Sequence, residues 1–225
     1  MHPLVRVVSS LALALVLDSA IGQAPLLPGS VPAPKIEETG AVGDKTNAES
    51  KIWLPLDCLP GQFVVGMQIN QASWVSQMQV LCVAATASLD WRGDPLPGTM
   101  AGVANGGAHS ALLLCPRNQW VSAISGKMAM SVAAMTPEQY LYLADPTLHC
   151  GRPRELFEQR ISDPTFQRGQ RRSMNNARYY DGPPEYCPPG MFAQSALVAI
   201  GGKNRIDVQA TKLRCMTLGG ASPTR

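Results

Sequence analysis

The chain has 225 residues, 45% of them hydrophobic and 16% charged, with a formal net charge of +3. That composition is globular, and so small a charge creates no basic field that would argue for a nucleic-acid partner, so none is expected. Once the N-terminal leader described next is removed, no further apolar run reaches the roughly 18 residues a transmembrane helix needs.

The N-terminus reads as a leader. His2 and Arg6 precede an apolar run from Val7 to Leu17, which is followed by small residues at Ala20 and Gly22. The run is too short to span about 30 Å of hydrocarbon, and Ala20 and Gly22 fit the small-residue positions of a signal-peptidase site. This predicts a signal peptide over 1–22 with the cut after Gly22; a retained membrane anchor is the alternative. No cysteine directly follows the expected cut, so no lipoprotein signal is expected. The protein is expected to be exported, either to the periplasm or outside the cell.

Export governs how the cysteines are read. All six lie beyond the leader, an even count suited to disulfides where thiols oxidise. Zinc competes poorly, because there is no Cys-x-x-Cys pair and His109 and His149 show no ligand spacing. No metal and no cofactor are expected.

Residues 23–50 are rich in proline, including Pro25, Pro28, Pro32 and Pro34, and polar towards Lys51. Such a run has little to bury and loses backbone donors, which predicts an extended linker, either a tether or a plain leader.

A domain is expected over 51–219, and from Trp53 onward the chain repeats itself. One segment opens Cys58-Leu-Pro-Gly61-Gln-Phe63 and closes at Cys82; a second opens Cys115-Pro-Arg-Asn-Gln-Trp120 and closes at Cys150; a third opens Cys187-Pro-Pro-Gly190-Met-Phe192 and closes at Cys215. Each is a cysteine, a turn, an aromatic, a β-rich strand, and a second strand ending in cysteine. Val75, Met78 and Val80 alternate imperfectly with polar neighbours, as do Val208, Ala210 and Leu213, which suggests strands with one wet face. The layout suggests the pairs Cys58 with Cys82, Cys115 with Cys150 and Cys187 with Cys215. Six cysteines allow 15 connectivities, and the repeat is the sole warrant for this one.

Two insertions are expected to hold short helices. Thr136-Pro137-Glu138-Gln139 has an N-cap hydroxyl, a proline at the first helical position and a capping-box glutamine, predicting a helix through Leu143. The pair Tyr140 and Tyr142 would then stack on a sugar ring or simply cover the core. Residues 154–161 place Leu156, Phe157 and Ile161 towards one side of a second helical stretch. The remainder between Cys150 and Cys187 reads as a long loop carrying Arg152, Arg154, Arg160, Arg168, Arg171, Arg172 and Arg178. Guanidinium groups pair bidentately with phosphate and carboxylate, so this loop is a candidate contact for anionic envelope polymer or lipid head groups, or a solvated loop without a partner.

Taken together, these residues resemble a known pattern. The stretch Gly102-Val-Ala-Asn-Gly106-Gly107 leading into Cys115-Pro116, with the cysteine-bounded strand pairs, is similar to the jacalin-like, β-prism type of repeat of exported bacterial proteins. The resemblance covers roughly Trp53 to Leu218. It implies an all-β, threefold β-prism-like module around a shared apolar centre, and in many members sugar binding by loops at one end. Lectin members carry a glycine, a short loop and a sugar-binding aspartate. Gly202-Lys-Asn-Arg-Ile-Asp207 is the near match and is one residue too long, and the turn Asn70-Gln-Ala-Ser73 has neither residue.

The expected function is carbohydrate binding, with Gly202, Asn204, Asp207, Tyr179, Tyr180 and Tyr186 as candidate contacts. Asp207 as a turn carboxylate capping backbone donors is the alternative for that residue. The alternative for the whole protein is a structural or interaction protein of the cell envelope that docks a partner through the arginine-rich loop or the proline-rich leader. No catalytic residue is assigned. Gly-x-Ser-x-Gly and phosphate-binding glycine loops are absent, and every cysteine is better used in a disulfide. An enzyme is not expected.

Overall fold

The computed structural model describes residues 34–45, 51–104, 109–131, 141–152, 165–168, 177–201 and 207–218. They form strands β1 (Ile36–Glu38), β2 (Val42–Gly43), β3 (Trp53–Asp57), β4 (Gln62–Gln71), β5 (Val75–Ala85), β6 (Trp91–Gly102) and β7 (His109–Leu114). The chain continues through β8 (Trp120–Ser131), β9 (Leu141–Gly151), β10 (Thr165–Arg168), β11 (Ala177–Tyr186), β12 (Met191–Gly201) and β13 (Asp207–Thr217).

Each cysteine-bounded segment folds as a long hairpin, β4–β5, β8–β9 or β12–β13, at the centre of its own sheet. The first sheet has the order β6-β5-β4-β7 and the second β10-β9-β8-β11. Both are Greek keys, with the fourth strand returning beside the first. The third has the order β1-β13-β12-β3, with β2 also on β13. The same key is therefore completed here by strands from the other end of the chain.

The repeat holds at the level of single residues. Gly61, Asn118 and Gly190 occupy the same place in their turns and all have positive φ, at 79°, 63° and 78°. Each turn is closed by the same backbone bond, Gln62 N to Leu59 O, Gln119 N to Pro116 O and Met191 N to Pro188 O, at 3.0 Å. The closing cysteines Cys82, Cys150 and Cys215 face Val64, Val121 and Ala193, and a bulge follows directly in all three ladders. The disulfides are Cys58–Cys82, Cys115–Cys150 and Cys187–Cys215, as the repeat predicts.

The aromatic that follows each turn enters the core. Phe63, Trp120 and Phe192 are buried, and Trp120 meets Phe63 and Trp91 edge-on at centroid distances of 5.7 and 6.5 Å. The core is thus shared between sheets, as the alternating inward residues require. Most strand prolines fall on edge strands, Pro55 on β3, Pro95 and Pro97 on β6, and Pro183 and Pro184 on β11, while Pro146 of the central strand β9 falls at the break in its ladder with β8.

Several expectations are corrected. The linker expected over 23–50 contains β1 and β2, which pair with β13 from Ile36↔Met216 to Glu38↔Arg214 and at Val42↔Thr211. Without them β13 would expose a row of unpaired backbone groups. Glu38 ties the seam, accepting from Lys212 Nζ at 2.5 Å and Arg214 Nε at 3.0 Å. The Lys212 hydrogen bond above all holds its carboxyl below the ordinary range.

The described residues contain no helix. Leu141, Tyr142 and Leu143, placed at the end of the first expected helix, stand in β9 opposite Met130, Ala129 and Met128. A capping signal is worth about 1 kcal/mol, less than burying this strand face. Residues 136–140 and the second expected helix, 154–161, lie outside the described residues. The expected long loop between Cys150 and Cys187 holds β10 and β11, the outer strands of the second sheet. No helix among the described residues is long and apolar enough to cross a membrane.

Candidate functional site

The connection between β4 and β5 carries Trp74, which stacks on Tyr142 at the start of β9 with centroids 4.5 Å apart and planes inclined by 16°. Trp74 also donates its indole hydrogen bond to the carboxylate of Asp207, the first residue of β13. Residues flanking all three central hairpin connections therefore meet at one end of the module. Burial raises the Asp207 carboxyl above its usual range, and the Trp74 hydrogen bond offsets part of that rise.

The same connection is anchored from the second sheet. Tyr179 Oη donates to Ser73 O at 3.3 Å, and Gln71 Nε2 donates to Asp145 Oδ1 at 3.0 Å. Asp145 has a φ of 43°, a conformation unusual for a residue with a side chain. Gln71 and Ser73 are buried, so the chain leading into Trp74 is held by polar contacts to the second sheet. Chemically, the end offers a carboxylate acceptor beside aromatic rings, the combination that receives hydroxyl hydrogens and covers C–H faces.

The six residues singled out from the sequence separate. Asp207 and Tyr179 reach this end. Tyr179 and Tyr180 diverge, because cross-strand partners share a face: Tyr179 lies with Ala129 and Tyr142, while Tyr180 lies with Met128 and Leu143. Tyr186 pairs with Ala123 towards the disulfide end, where its ring meets His149 edge-on at 5.9 Å. Gly202 and Asn204 lie outside the described residues, as do Arg154, Arg160, Arg171 and Arg172. Trp74, Gln71 and Ser73 were not singled out; an aromatic placed at a hairpin connection, where no core needs it, was the available signal for Trp74.

His149 is buried, with Nε2 2.9 Å from Ser125 Oγ. Burial lowers its pKa from the ordinary 6.5. A histidine whose folded pKa lies below its unfolded value favours folding above the unfolded pKa, and that contribution is lost as pH falls towards the folded one. The melting temperature of the wild type is expected to drop between about pH 7 and pH 5, and His149→Gln to flatten the profile. Equal slopes in the two proteins would show that His149 is not responsible. Among the described residues no group of three His, Cys, Asp or Glu could hold a metal ion.

No protein-family model matches the chain, and no curated protein matches it in sequence. Among solved structures it is similar to Frutapin, a lectin from Artocarpus incisa, with a TM-score of 0.50 and 9% identity over 82% of this chain and 99% of that one. A mannose-binding lectin from Champedak gives 0.48 and 11% over 81% and 98%. A mannose-specific jacalin-related lectin from Morus Nigra, in complex with mannose, gives 0.47 and 9% over 84% and 99%. Identity this low speaks to the fold alone. With its three sheets built on three disulfide-bounded hairpins, the described module is a jacalin-like β-prism.

Proposed function

We propose that this protein is an exported, non-catalytic, lectin-like carbohydrate-binding protein whose binding end is the one where the three central hairpins meet. The observation that carries the reading is Asp207, a half-buried carboxylate at the start of β13 held by the Trp74 indole, which itself stacks on Tyr142. A carboxylate in this setting accepts hydroxyl hydrogens strongly, because little water competes. The likeness in fold to a lectin supports carbohydrate as the ligand class. Three disulfides support export, since such bonds persist where the environment is oxidising.

A glycan and polysaccharide array probed with the oxidised protein tests the reading. A saturable hit competed by free sugar is expected, weakened about 10- to 100-fold by Asp207→Ala, the range for a hydrogen bond to a charged group. Because the folded carboxyl titrates above its ordinary range, binding is expected to fade on acidification earlier than an ordinary aspartate would allow. A blank array from folded protein, or full binding by Asp207→Ala, would overturn it.

A further inference from the structure

On the face of the second sheet opposite Tyr142 lies a groove of about 470 Å³, between β2 and the edge strand β11. Val42, Met128 and Leu141 supply apolar lining, and Tyr180 flanks it with 45% of its surface exposed. We propose that this groove is a second ligand site, separate from the Asp207 end, which takes a neutral sugar residue stacked on the Tyr180 ring.

The size suits a small ligand, since binding clefts run from about 300 to 1,000 Å³ and are mostly apolar with a few polar groups. The rim selects for charge. Lys51 pairs with Asp44 at 2.7 Å, Lys45 with Glu185 at 2.6 Å and Lys127 with Asp181 at 3.5 Å. With each of these described cations matched by a carboxylate, the three pairs present donors and acceptors whose charges cancel. A polyhydroxylated neutral ligand uses both kinds of group, whereas an anionic polymer would gain nothing from steering.

A peptide adding as a strand is the competing occupant, and β11 is built against it. Its ladder with β8 is interrupted between Gly182 and Glu185, and Pro183 and Pro184 fall in the interruption. Prolines and a bulge blunt a sheet edge towards strand addition. Recognition then falls to the exposed ring of Tyr180, whose C–H-complementary face suits a pyranose.

The proposal shares a ligand class with the reading above but uses different residues, so the two fail separately. A ¹H–¹⁵N NMR titration of the oxidised protein with methyl hexosides and N-acetylglucosamine tests it. Saturable shifts at the Tyr180, Gly182 and Lys45 amides are expected, lost in Tyr180→Ala and kept in Tyr180→Phe and Asp207→Ala. Shifts confined to Trp74 and Asp207 would overturn the second site and leave the first standing. Shifts at the groove that survive Tyr180→Ala, in protein with an unchanged spectrum elsewhere, would also overturn it, as would no shift at the groove with any sugar.

Discussion

Trp120→Ala is expected to remove about 3 to 5 kcal/mol of stability, the range for deleting a buried tryptophan from a close-packed core. Trp120 is fully buried in β8, yet Phe63 and Trp91, whose rings it meets, belong to the first sheet. Its indole also donates to Leu89 O at 3.1 Å, in a turn where Leu89 holds a φ of 64°. Truncation therefore leaves a cavity between sheets and deprives Leu89 O of its indole donor. Urea unfolding of the oxidised protein measures the loss. Trp120→Phe, which keeps a ring but not the N–H, is expected to recover more than half of it. A loss below about 1 kcal/mol for the alanine variant would mean the sheets do not share this core.

Replacing Cys187 and Cys215 together by alanine is expected to cost about 3 to 4 kcal/mol, the chain-entropy figure for a loop of this length. The bridge closes 28 residues, between 24 for Cys58–Cys82 and 35 for Cys115–Cys150, so loop length alone ranks the three nearly equal. Position separates them. Cys215 lies opposite Glu37 on β13, the strand that β1 must find from the far end of the chain. Thr39 anchors there, its N–H donating to Leu213 O and its Oγ1 accepting from Leu213 N, both at 3.0 Å. Hydrogen exchange at the Thr39 and Leu213 amides should accelerate in this variant and stay slow when Cys58 and Cys82 are replaced. Uniform acceleration in both would show that the third sheet gains nothing special from its staple.

The three hairpins were legible because each repeats a strong local signal. A cysteine, a turn residue able to take positive φ and an inward aromatic recur in order, and the disulfide map follows from them. The candidate site was only partly legible. Asp207 stood out by its place after Gly202, but Tyr179, Tyr180 and Tyr186 looked equivalent as neighbours in the chain. Strand alternation sends Tyr179 and Tyr180 to opposite faces, and distance along β11 takes Tyr186 towards His149. Trp74 became significant once Tyr142 and Asp207, far away in sequence, were brought to it.

By itself, then, the sequence determined the hairpins, their turns and their covalent staples, all of which depend on residues close together or on a repeated pattern. The tertiary structure decided the rest. It recruited β1 to β3 to complete the third sheet, turned the start of β9 into strand despite its capping signal, and joined the connections around Asp207. These outcomes depend on which distant edge is left unpaired and which side chains share a face, and backbone hydrogen bonding across a sheet imposes that choice whatever the local composition favours.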